Sequence, residues 1–257
     1  MSATDRAVPS APSMRSLERA IDVLEVLEAT RTPLRLSEVA RRSGLHISTA
    51  QRILRVLEAR GRVESGEAGY HTGVAMLFGA HAYLATSRVS LAARPVLQEL
   101  AATTNLTASV FVRTGLSRAV VARVEGGNPM RYELPIGERL PLHVGAGKVL
   151  AAYLDADELA TLMSEVDTSV RADGHRIDSS ALDDELRLIR ERGYAVAVNE
   201  RVVGAASVSA PVVAADGSCT TAVQVAGHAP DFDDELVERL SVDVRQAASA
   251  LRSYLPA

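Results

Sequence analysis

The sequence predicts an α+β chain in two parts, on three observations. Up to about residue 60 the apolar residues recur only at helical spacing. Two short alternating runs broken by glycines follow, and from Ser90 helical and alternating stretches take turns to the end. A length of 257 residues suffices for one large or two modest cores. Hydrophobic residues at 47% and charged ones at 23% exclude a disordered or fibrous chain. With no tryptophan, the helices must close on Leu, Val and Ala.

Leu17, Ala20, Ile21, Leu24 and Leu27 define one face of a helix over 16–29, which Thr32 and Pro33 end. Ser37 is placed to cap a short second helix that turns Val39 and Ala40 inward, and Gly44 to supply the left-handed residue after it. A third helix over 48–60 sets Ala50, Ile53, Leu54 and Leu57 on one face and Ser48, Gln51, Arg52 and Arg55 on the other. Ser48 and Gln51 have the S-x-x-Q spacing of a capping box. The runs 62–64 and 70–72, separated by Gly66, Glu67, Ala68 and Gly69, read as a hairpin. Helix, helix, turn, helix and hairpin make a winged helix-turn-helix over 15–73, after a disordered tail over 1–14.

A proline-free, Ala-rich run over 74–88 predicts a linker helix, whose Met76, Leu77, Ala80, Tyr83 and Leu84 offer an apolar face to a second copy of the chain. The remainder, 89–257, reads as a mixed α/β domain. It has a helix to about Thr104, strands over 108–113, 119–124 and 131–136, and helical stretches near 147–153 and 157–165. A helix over 180–192, strands over 195–199, 205–213 and 220–226, and a closing helix over 231–254 follow. Asp231, Asp233, Asp234 and Glu235 suit the start of that last helix through capping and its dipole.

Charge divides the chain in the same way. Up to Arg88 there are 12 arginines against 9 acidic residues, and beyond it 16 basic against 23 acidic. Between positions 41 and 62, Arg41, Arg42, Arg52, Arg55, Arg60 and Arg62 face Glu58 alone, the footprint of a polyanion partner. A single cysteine, Cys219, excludes an internal disulfide and a cysteine-based zinc site. The histidines show no metal-ligand spacing, and no cofactor is expected. No run reaches the roughly 18 apolar residues of a membrane helix, which predicts a cytoplasmic protein without membrane partners.

Enzyme motifs fail on spacing. Gly145, Gly147 and Lys148 resemble part of a phosphate loop, but Leu142 and Val149 stand where a glycine and a hydroxyl are required. Ser207 follows Gly204 without the spacing of a nucleophile elbow. An enzyme acting on a small carboxylate, carrying an accessory DNA-binding domain, is the competing function class, and a DNA-binding scaffold without ligand is a third. Lys148, the sole lysine, opens a predicted helix whose amides could hold a carboxylate; the alternative is an exposed surface lysine.

The stretch LSEVARRSGLHISTAQRILRVLEARGRVE (36–64) resembles the IclR (isocitrate lyase regulator) family of bacterial transcriptional regulators, with Ser48, Thr49 and Arg52 at its S-T-x-x-R positions. GERLPLHVGAGKVLAAYL (137–154), RERGYAVAVNE (190–200) and VVGAASVSAPVVAADG (202–217) carry the likeness into the second domain. Between His143 and Lys148 the chain is one residue shorter than the family pattern.

The resemblance implies a winged helix joined by a linker helix to a GAF-like effector-binding domain. It also implies dimers or tetramers acting on pseudo-palindromic double-stranded operators, as repressor or activator. It places DNA contacts at Arg41, Arg42, Ser48, Thr49, Gln51, Arg52, Arg55, Tyr70 and His71. It lines an effector pocket with Tyr132, Leu140, Gly145, Ala146, Gly147, Ala197, Ser207 and Gln224. Ala197 stands where acid-sensing members show an aspartate, and Gln224 and Ala226 where they show serines, which implies an organic acid larger or more apolar than a two-carbon one.

Overall fold

The computed structural model describes residues 14–129, 134–166 and 169–254. The chain forms two compact units, Met1–Ala82 and Tyr83–Ala257.

In the first unit, α1 (Arg15–Glu28), α2 (Leu36–Arg42) and α3 (Ile47–Ala59) precede a hairpin of β1 (Val63–Gly66) and β2 (Gly69–Thr72). Val23 and Leu27 of α1, Val39 of α2, Leu54 of α3 and Val63 of β1 meet around Leu34, so the helical spacing of each segment converges on one core. Leu34 and Tyr70 exchange backbone hydrogen bonds of 2.8 and 2.9 Å, which pin the hairpin to the chain ahead of α2. Gly69 makes this approach possible: at its φ of +128° a Cβ would collide with the Leu34 carbonyl.

Two helix starts differ from expectation. The second helix begins after Arg35, not Ser37, because Glu38 reaches back to accept the Arg35 amide at 3.3 Å. The third begins at Ile47, with His46 Nδ1 lying 3.4 Å from the Ser48 amide and 2.8 Å from Ser48 Oγ. The Ser48–Gln51 capping box therefore does not form, since the helix starts earlier and the imidazole two residues ahead of Ser48 serves as its cap. Gly44 does adopt the left-handed conformation, at φ +66°. After the hairpin, α4 (Met76–Thr86) buries none of its side chains.

The second unit comprises α5 (Arg88–Thr104), β3 (Thr107–Thr114), β4 (Ser117–Val124), β5 (Arg139–Pro141), α6 (Gly147–Ala151), α7 (Ala156–Val166), α8 (Ser179–Arg192), β6 (Ala195–Val198), β7 (Ala205–Val213), β8 (Cys219–His228) and α9 (Asp234–Arg252). Its strands form one antiparallel sheet in the order β5-β4-β3-β8-β7-β6. Of the strand expected over 131–136, residues 131–133 lie outside the described residues and 134–136 form no strand; the strand that pairs with β4 at this edge is β5, further along the chain. Asp233 caps α9 by accepting the Leu236 amide at 2.7 Å.

Alternation along the strands makes two cores. Val110, Val208, Ala210, Val223 and Val225 pack with α5 and α9 on one face. Phe111 and Ala222 join α6, α7 and α8 on the other. On this second face the register lines up polar residues instead of continuing the core. Thr107, Ala226, Ser207 and Ala197 lie abreast, and Ser109, Gln224 and Ser209 form the next row. Buried polar side chains on a sheet face require partners, and this is where a cavity opens.

Candidate nucleic-acid interface and ligand cavity

In the first unit, Arg41, Arg42, Ser48, Arg52, Arg55 and His71 are exposed, while Thr49 and Gln51 are half-buried. Ser48, Arg52 and Arg55 share a solvent face of α3 opposite Ala50 and Leu54. Among the described residues none of these four arginines has a carboxylate partner. Tyr70 is different, half-buried against the core. Arg62 also leaves the basic stripe: it turns inward and donates to the Ala75 carbonyl at 3.3 Å. Glu58, the stripe's sole carboxylate, is occupied by the Ser65 hydroxyl.

In the second unit a cavity of about 80 Å³ lies against the polar rows of the sheet. Of the positions expected from sequence, Gly145, Ala197, Ser207 and Gln224 line it. Leu140 and Ala146 are buried in the apolar cluster behind it, and Gly147 lies beneath the Arg118 guanidinium, with which a Cβ would collide. None of these three is in the lining, and Tyr132 is outside the described residues.

Sequence reasoning missed the charged part of the lining, Arg118, Arg123, Glu200 and Arg201, together with Thr107, Ser109 and Phe111. Arg118 is 2% exposed. It stacks on the Phe111 ring at 5.3 Å and donates from one terminal nitrogen to the Pro141 carbonyl, while its Nε is buried without a partner. Burial first, and then the positive field of Arg201, hold its pKa down at about 9, against an opposing pull from Glu200. Thr107 Oγ1 is likewise buried and unpartnered. A signal existed: Arg118 shares strand parity with Val120, on the inward face of β4.

Lys148 is neither an exposed lysine nor a free group at a helix start. It is 1% exposed and bonds Glu185 Oε1 at 2.6 Å, Glu200 Oε1 at 2.5 Å and the Val196 carbonyl at 3.2 Å. The amides beside it are also engaged: Gly145 donates to Glu200 Oε2 at 2.8 Å, and Gly147 to the Val144 carbonyl at 3.0 Å. Of the amides in the predicted anion site, one is therefore taken by the chain's own carboxylate and the other by a backbone carbonyl. His143 is held below its ordinary pKa by burial and then by Arg118, which favours a neutral ring.

Cys219 is a buried, inert thiol, pushed up to about 12 mainly by burial. Among the described residues no cluster of histidine, cysteine and carboxylates could hold a metal ion, and no helix is long and apolar enough to cross a membrane.

Unpaired arginines on the third helix of a winged helix, carried in one chain with an α/β unit that encloses a charged cavity, define a DNA-binding regulator. The chain belongs to the IclR family of bacterial transcriptional regulators. Residues 16–66 match the IclR helix-turn-helix domain, and 81–253 the bacterial transcriptional regulator IclR C-terminal domain. The chain is 31% identical to the HTH-type transcriptional regulator BhcR of Paracoccus denitrificans, over 93% of this chain and 86% of that one. It is 29% identical to the HTH-type transcriptional repressor AllR of Escherichia coli K12, over 94% and 90%.

The fold matches an ICLR transcriptional regulator from Silicibacter with a TM-score of 0.80 at 21% identity, covering 94% of this chain and 100% of that one. It also matches an IclR homologue from Microbacterium hydrocarbonoxydans complexed with 4-hydroxybenzoate, with a TM-score of 0.69 at 21% identity over 93% and 98%. With relatives named as regulators and repressors, the chain is a transcriptional regulator and not an enzyme.

Proposed function

We propose that this regulator is controlled by a small organic acid bound in the cavity of the second unit, and that Arg41, Arg42, Ser48, Thr49, Gln51, Arg52, Arg55 and His71 contact operator DNA. Tyr70 supports the wing. The observation that carries the effector reading is Arg118, a buried cation at the cavity whose Nε has no partner. The Microbacterium homologue complexed with 4-hydroxybenzoate supports an acid ligand for this fold. A ligand acts here only through unequal affinity for DNA-competent and incompetent arrangements of the chain.

The regulator binds as a dimer on a pseudo-palindrome, whose half-sites lie about 34 Å apart on one face of the duplex. The exposed Leu77, Phe78 and Tyr83 of α4 favour self-association. Light scattering should give at least twice 27.3 kDa, and a monomer at micromolar concentration would refute the dimer.

The cavity is tested at Ser207, which is 8% exposed in its lining. Ser207→Leu should fill it, abolishing the response of operator binding to organic acids in a gel-shift titration while leaving binding itself intact. A normal response would place the effector elsewhere. Ala146 is unsuitable for this purpose, since it is fully buried in the apolar core and a larger side chain there would overpack it.

A further inference from the structure

We propose that Arg118 is the anchor for the effector's carboxylate and that Lys148 keeps this anchor open by holding Glu200 away from it, an inference that rests on the cavity being the effector site. Four charged side chains line the cavity, Arg118, Arg123, Arg201 and Glu200. Arg123 has Glu125 at 3.2 Å, and Arg201 has contacts of its own. Glu200 is the natural counter-ion for Arg118, yet both its oxygens are committed. Oε1 lies 2.5 Å from Lys148 Nζ, with Arg171 more distant at 3.8 Å, and Oε2 accepts the Gly145 amide at 2.8 Å.

Arg118 is therefore left, among the described residues, with a carbonyl, a ring face and an unpartnered Nε. Gly145 leaves its other terminal nitrogen accessible, because a Cβ at that position would sit 3.4 Å from it. The Thr107 hydroxyl, also buried without a partner, is a second polar group in the lining. One uncompensated buried cation matches one carboxylate, and a neutral ligand would leave the guanidinium uncompensated.

Lys148 acts through Glu200. The two are buried together, and Glu185 is the lysine's more exposed partner. Without the ammonium, Glu200 loses its strongest hold, and Arg118 is a buried cation close enough for the Glu200 charge already to act on it. A Glu200–Arg118 pair would then occupy the anchor with the chain's own carboxylate. Lys148 is thus a positioning residue for ligand binding, whereas Arg118 touches the ligand.

The test is calorimetric titration of the full chain with acetate, pyruvate, benzoate and 4-hydroxybenzoate, each against its uncharged amide. At least one acid should bind at least tenfold more tightly than its amide, and Arg118→Met should abolish that preference. Arg118→Lys, which keeps the charge but not the guanidinium geometry, should retain part of it. Lys148→Met should weaken acid binding about tenfold, and Lys148→Met combined with Glu200→Gln should restore it, because Gln can still accept the Gly145 amide but cannot pair with Arg118. A merely structural lysine would not be rescued in this way.

Equal binding of acid and amide, or an unchanged preference in Arg118→Met, would overturn the anchor while leaving the cavity as the effector site. Failure of the double variant to recover would overturn the role of Lys148. Binding of none of the acids to the wild-type chain would overturn the acid-sensing reading itself, and the anchor with it.

Discussion

In the first unit Arg41, Arg42, Arg52 and Arg55 stand in solvent, whereas in the second Arg118 and Lys148 are 2% and 1% exposed. Exposed guanidinium groups keep their hydration and lose little by waiting for a polyanion; what they gain on binding is the release of counterions from DNA. A buried cation has already lost its water and must be compensated inside the protein or by a ligand. Lys148 is compensated, by two carboxylates and a carbonyl. Arg118 is only partly so. The first set should therefore respond to salt, and Arg118 to ligand.

On the exposed side the expected loss is one of affinity for DNA. Arg52→Ala and Arg55→Ala should each weaken specific operator binding by about 1 to 3 kcal/mol if they read bases, with no change in the melting of the second unit. Operator affinity unaltered in the double variant, measured by gel shift, would break the comparison at its DNA end. On the buried side, Leu186→Ala should cost about 2 to 5 kcal/mol, since that α8 side chain is fully buried behind the cavity. A denaturant melt showing less than about 1 kcal/mol would mean that this core is looser than its burial indicates.

Arg118→Met sharpens the contrast further. Removing an under-compensated charge in favour of an apolar side chain of similar reach should leave the ligand-free chain as stable as wild type, or more stable by about 1 kcal/mol or more, even as acid binding is lost. The sign follows from its depressed pKa. Burial holds the folded arginine's pKa down at about 9, well below the value the unfolded chain restores, so at neutral pH burial of the charge is a cost to folding. A substantial loss of stability in a thermal melt would show that Arg118 is structural.

His143 should give the smallest effect, with the same sign logic. Its folded pKa is depressed, so the unfolded chain binds the proton first, and stability should fall as pH drops below about 6.5 towards the depressed value. His143→Asn should flatten that part of a stability–pH profile. An equally steep profile would assign the dependence to other groups.

The winged helix was legible because its information is local. The spacing of Ala50, Leu54 and Leu57, the turn at Gly44 and the glycines at 66 and 69 each act within a few residues. The helix caps were less so: Ser37 and Ser48 are good cap residues, but both helices start earlier, where Glu38 accepts the Arg35 amide and His46 the Ser48 amide. In the cavity, Gly145, Ala197, Ser207 and Gln224 followed from the family pattern. The charged network did not, because Lys148 meets Glu185 and Glu200 across 37 and 52 residues, and no local spacing encodes such pairings. A lone lysine in an arginine-rich chain and an arginine at an inward strand position were the visible traces.

The division of labour between the two sets of arginines is tested most directly by the salt dependence of affinity for a non-specific 30-base-pair duplex. Fluorescence anisotropy would compare the wild type with Arg42→Ala and Arg118→Met. The slope of log affinity against log salt should shrink by about one in Arg42→Ala, as for one lost phosphate contact, and stay at the wild-type value in Arg118→Met. An unchanged slope in Arg42→Ala, or a reduced one in Arg118→Met, would contradict the account.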